Sequence, residues 1–341
     1  MARQTADQHL ETLYAQARNE PDPQVKASRI RMAEHYYKFR LEQKLGRSIH
    51  MAGISSNVKM GKIEPWDGDL NPKDLLIDAD DVGDIQQNQI LTALEKRGIC
   101  QLRITAQSAD DYVVKAVAKL IGPLTRRQND FKKDVVKLIV PKAAGVANSG
   151  DTLADLGLHV DGTQHTETPC ILMFHYVSGA KLGATSVFVD TARALLDIKA
   201  DRRQQILVNL ARSDAATFSK KKMVHTGPIF YFSPTGRLVC RIRFDSVIGL
   251  HPECIDDFNY LLRKFNDSKY RLEFKPREGD IIIFDNWRVL HARDEVFGKK
   301  VRQHWRGWVS NLKPAFQPDY FLGIRPIPAA IAAKIEAANK R

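Results

Sequence analysis

Apolar positions recur with a helical period near the start of the chain and in short strand-like runs over most of the remainder. Leu10, Leu13, Tyr14 and Ala17 stand at i, i+3, i+4 and i+7, the spacing that lines up one face of a helix. Pro21-Asp22-Pro23 breaks the pattern, as closely spaced prolines do. Between Val25 and Leu45 it resumes as a stripe of Ile30, Ala33, Tyr37 and Leu41 among Arg, Lys and Glu. A helical extension over 5–45 is therefore predicted, its stripe available to core or to a partner helix. Residues 46–75 are dense in Gly, Asn, Pro and Asp and read as an irregular loop. A helix is predicted over Gln86–Arg97, a strand over Gly98–Arg103, and a second helix over Asp110–Ile121, stopped by Gly122-Pro123. From Val135 onward short apolar runs alternate with turns: Val135–Val140, Cys170–Val177, Ser186–Val189, Ile229–Phe232, Leu238–Phe244, Ile281–Phe284 and Val301–Val309. One helix interrupts them at Pro252–Phe265, and the Ala-rich Pro328–Lys340 segment reads as a final surface helix.

Many short strands with few helices predict a mainly β domain, a sandwich or barrel flanked by helices. We place it over 76–320, after a helical extension and loop over 1–75 and before a helical tail over 321–341. A length of 341 residues allows one large domain or two modest ones. With 43% apolar and 27% charged residues, global disorder and fibrous classes are excluded. No run approaches the roughly 20 apolar residues that span a bilayer, and the first residues lack the apolar core of a secretory signal. A cytoplasmic protein is expected. The net charge of +12 raises the question of nucleic acid. The basic residues are spread out, however, and the densest clusters, Lys220–Lys222 and Arg126-Arg127 with Lys132-Lys133, are short and lack interleaved aromatics. A solvated face accounts for them, so neither nucleic acid nor a membrane is expected as partner. The four cysteines are far apart with no C-x-x-C, which fits reduced buried thiols rather than disulfides or a zinc site.

Candidate chemistry starts at Leu158-His159-Val160-Asp161-Gly162. In extended chain residues i and i+2 point to one side, so His159 and Asp161 can reach one metal ion. A further His from a distant strand would complete two His and one carboxylate, a set that leaves coordination positions open and suits non-haem Fe(II). The spacing alone is weak, since about one H-x-[DE] arises by chance, and the chain holds four: His9/Glu11, His159/Asp161, His165/Glu167 and His251/Glu253. The first lies in the helical extension, where i and i+2 do not share a face. The last contains Pro252 and opens a helix, which suggests capping. His165/Glu167 falls in a turn just past the favoured pair. After Glu278 a turn leads into the apolar strand Ile281–Phe284, then polar residues and His291; this His is predicted to emerge at the end of a buried strand, where it either ligates or bonds to backbone. In the strand Val301–Val309, alternation puts Arg302, His304 and Arg306 on one face and Val301, Trp305 and Val309 on the other. Three bases on one face are either solvated or turned toward anions; a guanidinium can hold a carboxylate bidentately.

Taken in order, H-x-D, G-x-T, G-D-x-x-x-F-D-N-x-R-x-x-H-x-R and R-x-x-x-R resemble the Fe(II)/2-oxoglutarate-dependent dioxygenases of the taurine dioxygenase (TauD/TfdA-like) superfamily. The chain is similar also to the clavaminate synthase and γ-butyrobetaine hydroxylase branches. The resemblance covers roughly residues 90–312. It implies a double-stranded β-helix (jelly-roll) core, with His159, Asp161 and His291 on the iron. It implies that Arg302 pairs with the distal carboxylate of 2-oxoglutarate, helped by Thr185, although Leu182-Gly183-Ala184 stands where Gly-Gly is usual. Arg306 would lie near the other end of the oxoglutarate and near substrate, with Asp245 and Gly162 as further substrate contacts. The implied reaction consumes O2 and 2-oxoglutarate, releases succinate and CO2, and oxidises an unactivated C–H bond of a small polar molecule, an amino acid or derivative of secondary metabolism. Hydroxylation is the expected outcome; desaturation and cyclisation share the same ligands, and Asp161 disfavours halogenation. A carrier-bound or macromolecular substrate, a silent barrel that binds nucleic acid, and a cupin-type metal barrel are the alternatives, the last lacking its usual H-x-H cluster here. The N-terminal helices offer a surface for homo-oligomers.

Overall fold

The computed structural model describes residues 64–312, apart from 106–109, 126–134, 142–151, 167, 181, 202–204, 221–222, 233–237, 245–246, 298–301 and 311, together with residues 15, 19 and 21. Apart from those three positions, the helices predicted over 5–45 and 328–340 lie outside the described residues, as does Asp245.

In chain order the elements are β1 (Leu76–Ala79), α1 (Gln87–Arg97), β2 (Ile99–Ile104), α2 (Tyr112–Ile121), β3 (Val136–Ile139), β4 (Leu156–His159), β5 (Ile171–Ser178), β6 (Leu182–Gly183) and β7 (Ser186–Asp190). There follow α3 (Thr191–Ala200), α4 (Gln205–Leu210), β8 (Ala216–Lys220), β9 (Met223–Gly227), β10 (Phe230–Phe232), β11 (Leu238–Cys240) and β12 (Ile248–Leu250). The last are α5 (Ile255–Phe265), β13 (Arg271–Phe274), β14 (Asp280–Asp285), β15 (Val289–Arg293), β16 (Val296–Phe297) and β17 (Gln303–Val309). Six strands form one sheet in the order β1-β2-β14-β5-β17-β3, and four form a second in the order β13-β7-β15-β4. The pairs are antiparallel except β1 with β2.

The two sheets pack face to face. Phe174 and Tyr176 of β5, Phe284 of β14 and Trp308 of β17 meet Phe188 of β7, Leu272 of β13 and Val289 of β15. Phe188 and Phe284 touch edge to face at 5.4 Å. Each such ring contributes on the order of 1.5–3 kcal/mol by burial alone. Upstream of β1, Trp66 and Leu75 are buried in the same layer. The other face of the larger sheet is covered as well: Cys100, Met173, Ile281 and Ile283 pack under Ile90 and Leu94 of α1 and Val114, Val117 and Ile121 of α2. Coverage on both faces is why β5 and β14 read as unbroken apolar runs rather than alternating ones.

The predicted α1, α2 and α5 and the apolar strands stand close to where the pattern put them. Three features differ. Helices α3 and α4 and the strands β8 and β9 lie between Thr191 and Gly227, where only turns were read. The run Leu238–Phe244 ends as a strand at Cys240, and beyond it Arg243 makes a single antiparallel bridge to His159. His291 does not end the buried strand. Asp285 accepts from Trp287 N at 2.9 Å and closes a turn, and the chain re-emerges as β15 in the opposite sheet with His291 at its centre. Among the described residues no helix is long and apolar enough to cross a membrane.

Candidate active site

Cross-strand register builds the centre. His291 of β15 stands directly opposite His159 at the end of β4, and facing residues of an antiparallel pair hold their Cβ atoms about 4.5–5.5 Å apart. Their rings lie 4.1 Å apart, centroid to centroid. Asp161 is the second residue after β4, and Asn286 holds it from both sides. Asp161 N donates to Asn286 Oδ1 at 2.9 Å, while Asn286 Nδ2 donates to Asp161 O at 3.1 Å and Pro169 O at 2.8 Å. Gly162 turns the chain away at φ +77°, where a Cβ would stand 2.7 Å from Pro169 Cδ.

Asp161 Oδ1 lies 3.5 Å from His159 Nε2 and 3.9 Å from His291 Nε2. One ligand atom from each residue falls within 4.8 Å of the others. Metal–donor bonds of about 2.0–2.2 Å call for spacings of that order, and two imidazoles with one carboxylate fit Fe(II). The partners around these groups aim them. His159 Nδ1 donates to Gly157 O at 2.9 Å, which leaves Nε2 with its lone pair for a metal. Asp161 Oδ2 accepts from Arg306 Nη1 at 2.9 Å and Trp308 Nε1 at 3.0 Å, so Oδ1 is turned to the histidine pair. Burial pushes the Asp161 carboxyl up, but Arg306 and the two histidines outweigh it and hold the group well below the usual carboxylate range. Burial, reinforced by His159, holds His291 neutral. Both are the ligating protonation states.

From this centre a small cavity, partly open to solvent, extends along both sheets. One wall carries Ser186, Phe188, His291 and Arg293; the other carries Phe174, Tyr176, Arg302, His304 and Arg306. Alternation along β17 and the residue ahead of it brings Arg302, His304 and Arg306 to the cleft, Arg302 and His304 buried and Arg306 half-buried. Arg302 Nη1 donates to Ser186 Oγ at 2.8 Å and Ala184 O at 3.4 Å, and its guanidinium lies over the Tyr176 ring at 5.0 Å. The hydroxyl the structure brings to Arg302 is thus that of Ser186. Thr185, one residue earlier, accepts at its carbonyl from Asp294 N at 3.1 Å. Burial and then Arg302 hold His304 neutral, and the same two causes press the Arg293 guanidinium down to about 10.

The other H-x-[DE] pairs separate. His251 caps the short turn Pro252–Cys254, accepting from Glu253 N at 3.2 Å. His165 is buried with its ring edge-on to Trp308 at 5.8 Å, while Glu167 and His9/Glu11 lie outside the described residues. All four cysteines are free and buried. Three functional side chains escaped the sequence reading: Ser186, Asn286 and Trp308. Period two along β17 places Trp308 on the face of Arg306, and period two along β7 places Ser186 on the face of Phe188.

Comparison with known proteins agrees with this geometry. Residues 62–308 match the model of the taurine catabolism dioxygenase TauD, TfdA family. The chain belongs to that family, and with it to the iron- and 2-oxoglutarate-dependent oxidoreductases. It is 25% identical to human gamma-butyrobetaine dioxygenase over 300 residues, 80% of this chain and 73% of that one. It is also 25% identical to trimethyllysine dioxygenase of Meyerozyma guilliermondii over 164 residues, 44% of this chain. That alignment spans 41% of the relative's own length. Two solved structures share the fold. PvcB, an iron- and alpha-ketoglutarate-dependent oxygenase from an isonitrile synthetic pathway, has a TM-score of 0.52 at 18% identity over 69% of this chain and 85% of that one. An asparagine oxygenase in complex with Fe(II), hydroxyasparagine and succinate has 0.51 at 14% identity over 91% and 92%.

Proposed function

We propose that the chain hydroxylates an unactivated C–H bond of a small amino acid or amino-acid derivative, using Fe(II) on His159, Asp161 and His291 and 2-oxoglutarate anchored by Arg302. We also infer that the two facing sheets are the halves of a double-stranded β-helix. The observation that carries the reading is the buried triad, with one oxygen of Asp161 pinned by Arg306 and Trp308 and the other turned to the histidines. When bound, iron with the oxo acid and O2 supplies an oxidant able to attack an unactivated C–H bond, with succinate and CO2 released. The protein's part is orientation and exclusion of water. His159 and His291, opposed across two strands, keep one side of the site. Arg302, buried over Tyr176 and bonded to Ser186, presents a guanidinium to the distal carboxylate, a group suited to bidentate pairing, with Thr185 as its further proposed helper. Phe174 and Phe188 form an apolar floor between the two ends, suited to the methylene carbons of the oxo acid. Arg306, Gly162 and Asp245 are the proposed substrate contacts. The amino-acid class is supported by the relatives, which are named for gamma-butyrobetaine and trimethyllysine. Anaerobic absorption titration with Fe(II) and then 2-oxoglutarate tests the site, and screening amino acids, betaines and sulfonates for O2-coupled succinate formation tests the substrate. Succinate formed only with a non-amino-acid substrate would reject the substrate class; no Fe(II)-dependent binding of the oxo acid would reject the whole reading.

A further inference from the structure

The cleft holds one more guanidinium than the proposed chemistry uses. Arg293 stands two residues past His291 on β15 and faces Ser186 directly across the strand pair, and Ser186 is the residue to which Arg302 donates. Two residues of a strand span roughly 6.8 Å, so Arg293 sits one strand repeat from the metal, at the end of the cleft that Arg302 also lines. Arg293 is 5% exposed and Arg302 7%. Arg293 spends Nη2 on the carbonyls of Thr152 and Ala154, and its Nε is buried without a partner. Among the described residues no carboxylate lies within ion-pair distance of either. Arg302 repels Arg293, and only the more distant Asp155 and the Tyr176 hydroxyl act in the opposite sense. Two buried like charges lining one cleft are costly to keep apart from water, and an anion placed between them offsets the cost.

We propose that Arg293 and Arg302 form a two-guanidinium clamp on the distal carboxylate of the oxo acid, with Ser186 between them, so that Arg293 determines cosubstrate affinity and selectivity. The clamp rests on the cosubstrate reading given above. A carboxylate offers about four lone-pair positions, enough for both guanidiniums and the hydroxyl. The alternative is that Arg293 merely pins the segment 152–154 ahead of β4.

Arg293→Gln and Arg293→Lys together separate the two: both shorten the reach to the Thr152 and Ala154 carbonyls, but only the Lys variant keeps the charge. The measurement is the Kd of 2-oxoglutarate for the Fe(II)-loaded full chain under anaerobic conditions, by calorimetry and by the absorption band of the chelate, with the melting temperature of the protein alone alongside. The clamp predicts that Arg293→Gln weakens 2-oxoglutarate about tenfold or more and that Arg293→Lys stays within about threefold, although both proteins without ligand melt alike. It also predicts that 2-oxopentanoate, which lacks the distal carboxylate, binds wild type and Gln variant equally. Unchanged 2-oxoglutarate affinity in Arg293→Gln would overturn the clamp, as would Gln and Lys variants that lose affinity to the same extent. A wild-type protein that binds Fe(II) but no 2-oxoglutarate would instead overturn the cosubstrate reading, and the clamp with it.

Discussion

Two buried arginine clusters within this fold answer the same problem in opposite ways. Arg288 and Asp190 are almost wholly buried, and every demand is met. Arg288 donates through Nε and Nη2 to the two oxygens of Asp190 at 2.8 and 3.0 Å and through Nη1 to Lys96 O at 3.0 Å. Asp190 accepts further from Trp66 N and Ala192 N. The pair rivets the end of β7 to the end of α1 and to the segment ahead of β1. Along the cleft, by contrast, of Arg293, Arg302, Arg306 and His304 only Arg306 is paired with a carboxylate, Asp161, among the described residues, and His291 Nδ1, Arg293 Nε, His304 Nδ1 and Arg306 Nε have no hydrogen-bond partner. Buried polar groups are almost always satisfied. A balanced cluster is therefore read as architecture, and a cationic surplus facing a cavity as a seat for anions.

The largest expected effect falls on the unbalanced cluster. His291→Ala removes one of three ligands and should abolish substrate-dependent succinate formation while circular dichroism and melting stay near wild type. Chelation should do the same to the wild type, reversed by Fe(II). Activity near wild type in His291→Ala would reject the triad.

The balanced cluster should behave the other way. Asp190→Ala strands a buried guanidinium, a loss of about 3–5 kcal/mol in unfolding free energy, read by denaturant titration. The activity of the fraction that remains folded should be unchanged. A loss below about 1 kcal/mol would show that Arg288 finds other partners, and the contrast between the clusters would fall.

Arg302→Ala sits between these extremes. Truncating one side of a buried charged pair costs about 2–5 kcal/mol of binding, so the KM for 2-oxoglutarate should rise at least about tenfold. The stability of the unliganded protein should not fall, because a cation is being removed from a cationic cleft. If Arg306→Ala raised that KM and Arg302→Ala did not, the anchor would lie two strand repeats closer to the His159, Asp161 and His291 triad.

Much of this contrast was legible in the chain, because the site is carried by residue order and by period-two alternation. His159 and Asp161 could be paired from their spacing, and Arg302, His304 and Arg306 from one strand face. What could not be read were contacts set by register between distant strands. Nothing local to Ser186 announces that it meets Arg302, or that His291 faces His159. The turn after Asp285 carries neither Gly nor Pro, so the step from one sheet to the other was invisible and His291 was left on the wrong strand. Asn286, whose amide closes around Asp161, looked like any polar residue at a strand end. The segment from Thr191 to Gly227 failed for a different reason: α4 is only six residues long, and neither it nor β8 and β9 repeats a pattern for long enough to outweigh the turns around them.

Asp197 extends the balanced case to the protein's rim, where the expected effect is smallest. It lies on α3 and accepts from the Tyr270 hydroxyl and from Lys269 Nζ at 2.8 Å, with Arg193 Nε at 3.4 Å one helical turn away. Burial pushes its carboxyl up, but Lys269 and Tyr270 outweigh that and hold it below the usual range. A carboxyl whose folded-state pKa is depressed stabilises the fold above its unfolded pKa of about 3.9, and that stability is lost as pH falls through the folded value. Asp197→Asn should therefore cost about 1–2 kcal/mol at pH 7, the size of hydrogen bonds to a charged group, and lower the melting temperature by about 2–4 °C for each kcal/mol. Followed downward in pH, the wild-type and variant melting curves should converge below about pH 4. Curves that stay parallel from neutral to acid would show that the charge on Asp197 carries none of the stability, leaving the packing of Tyr270 under α3 to hold that corner.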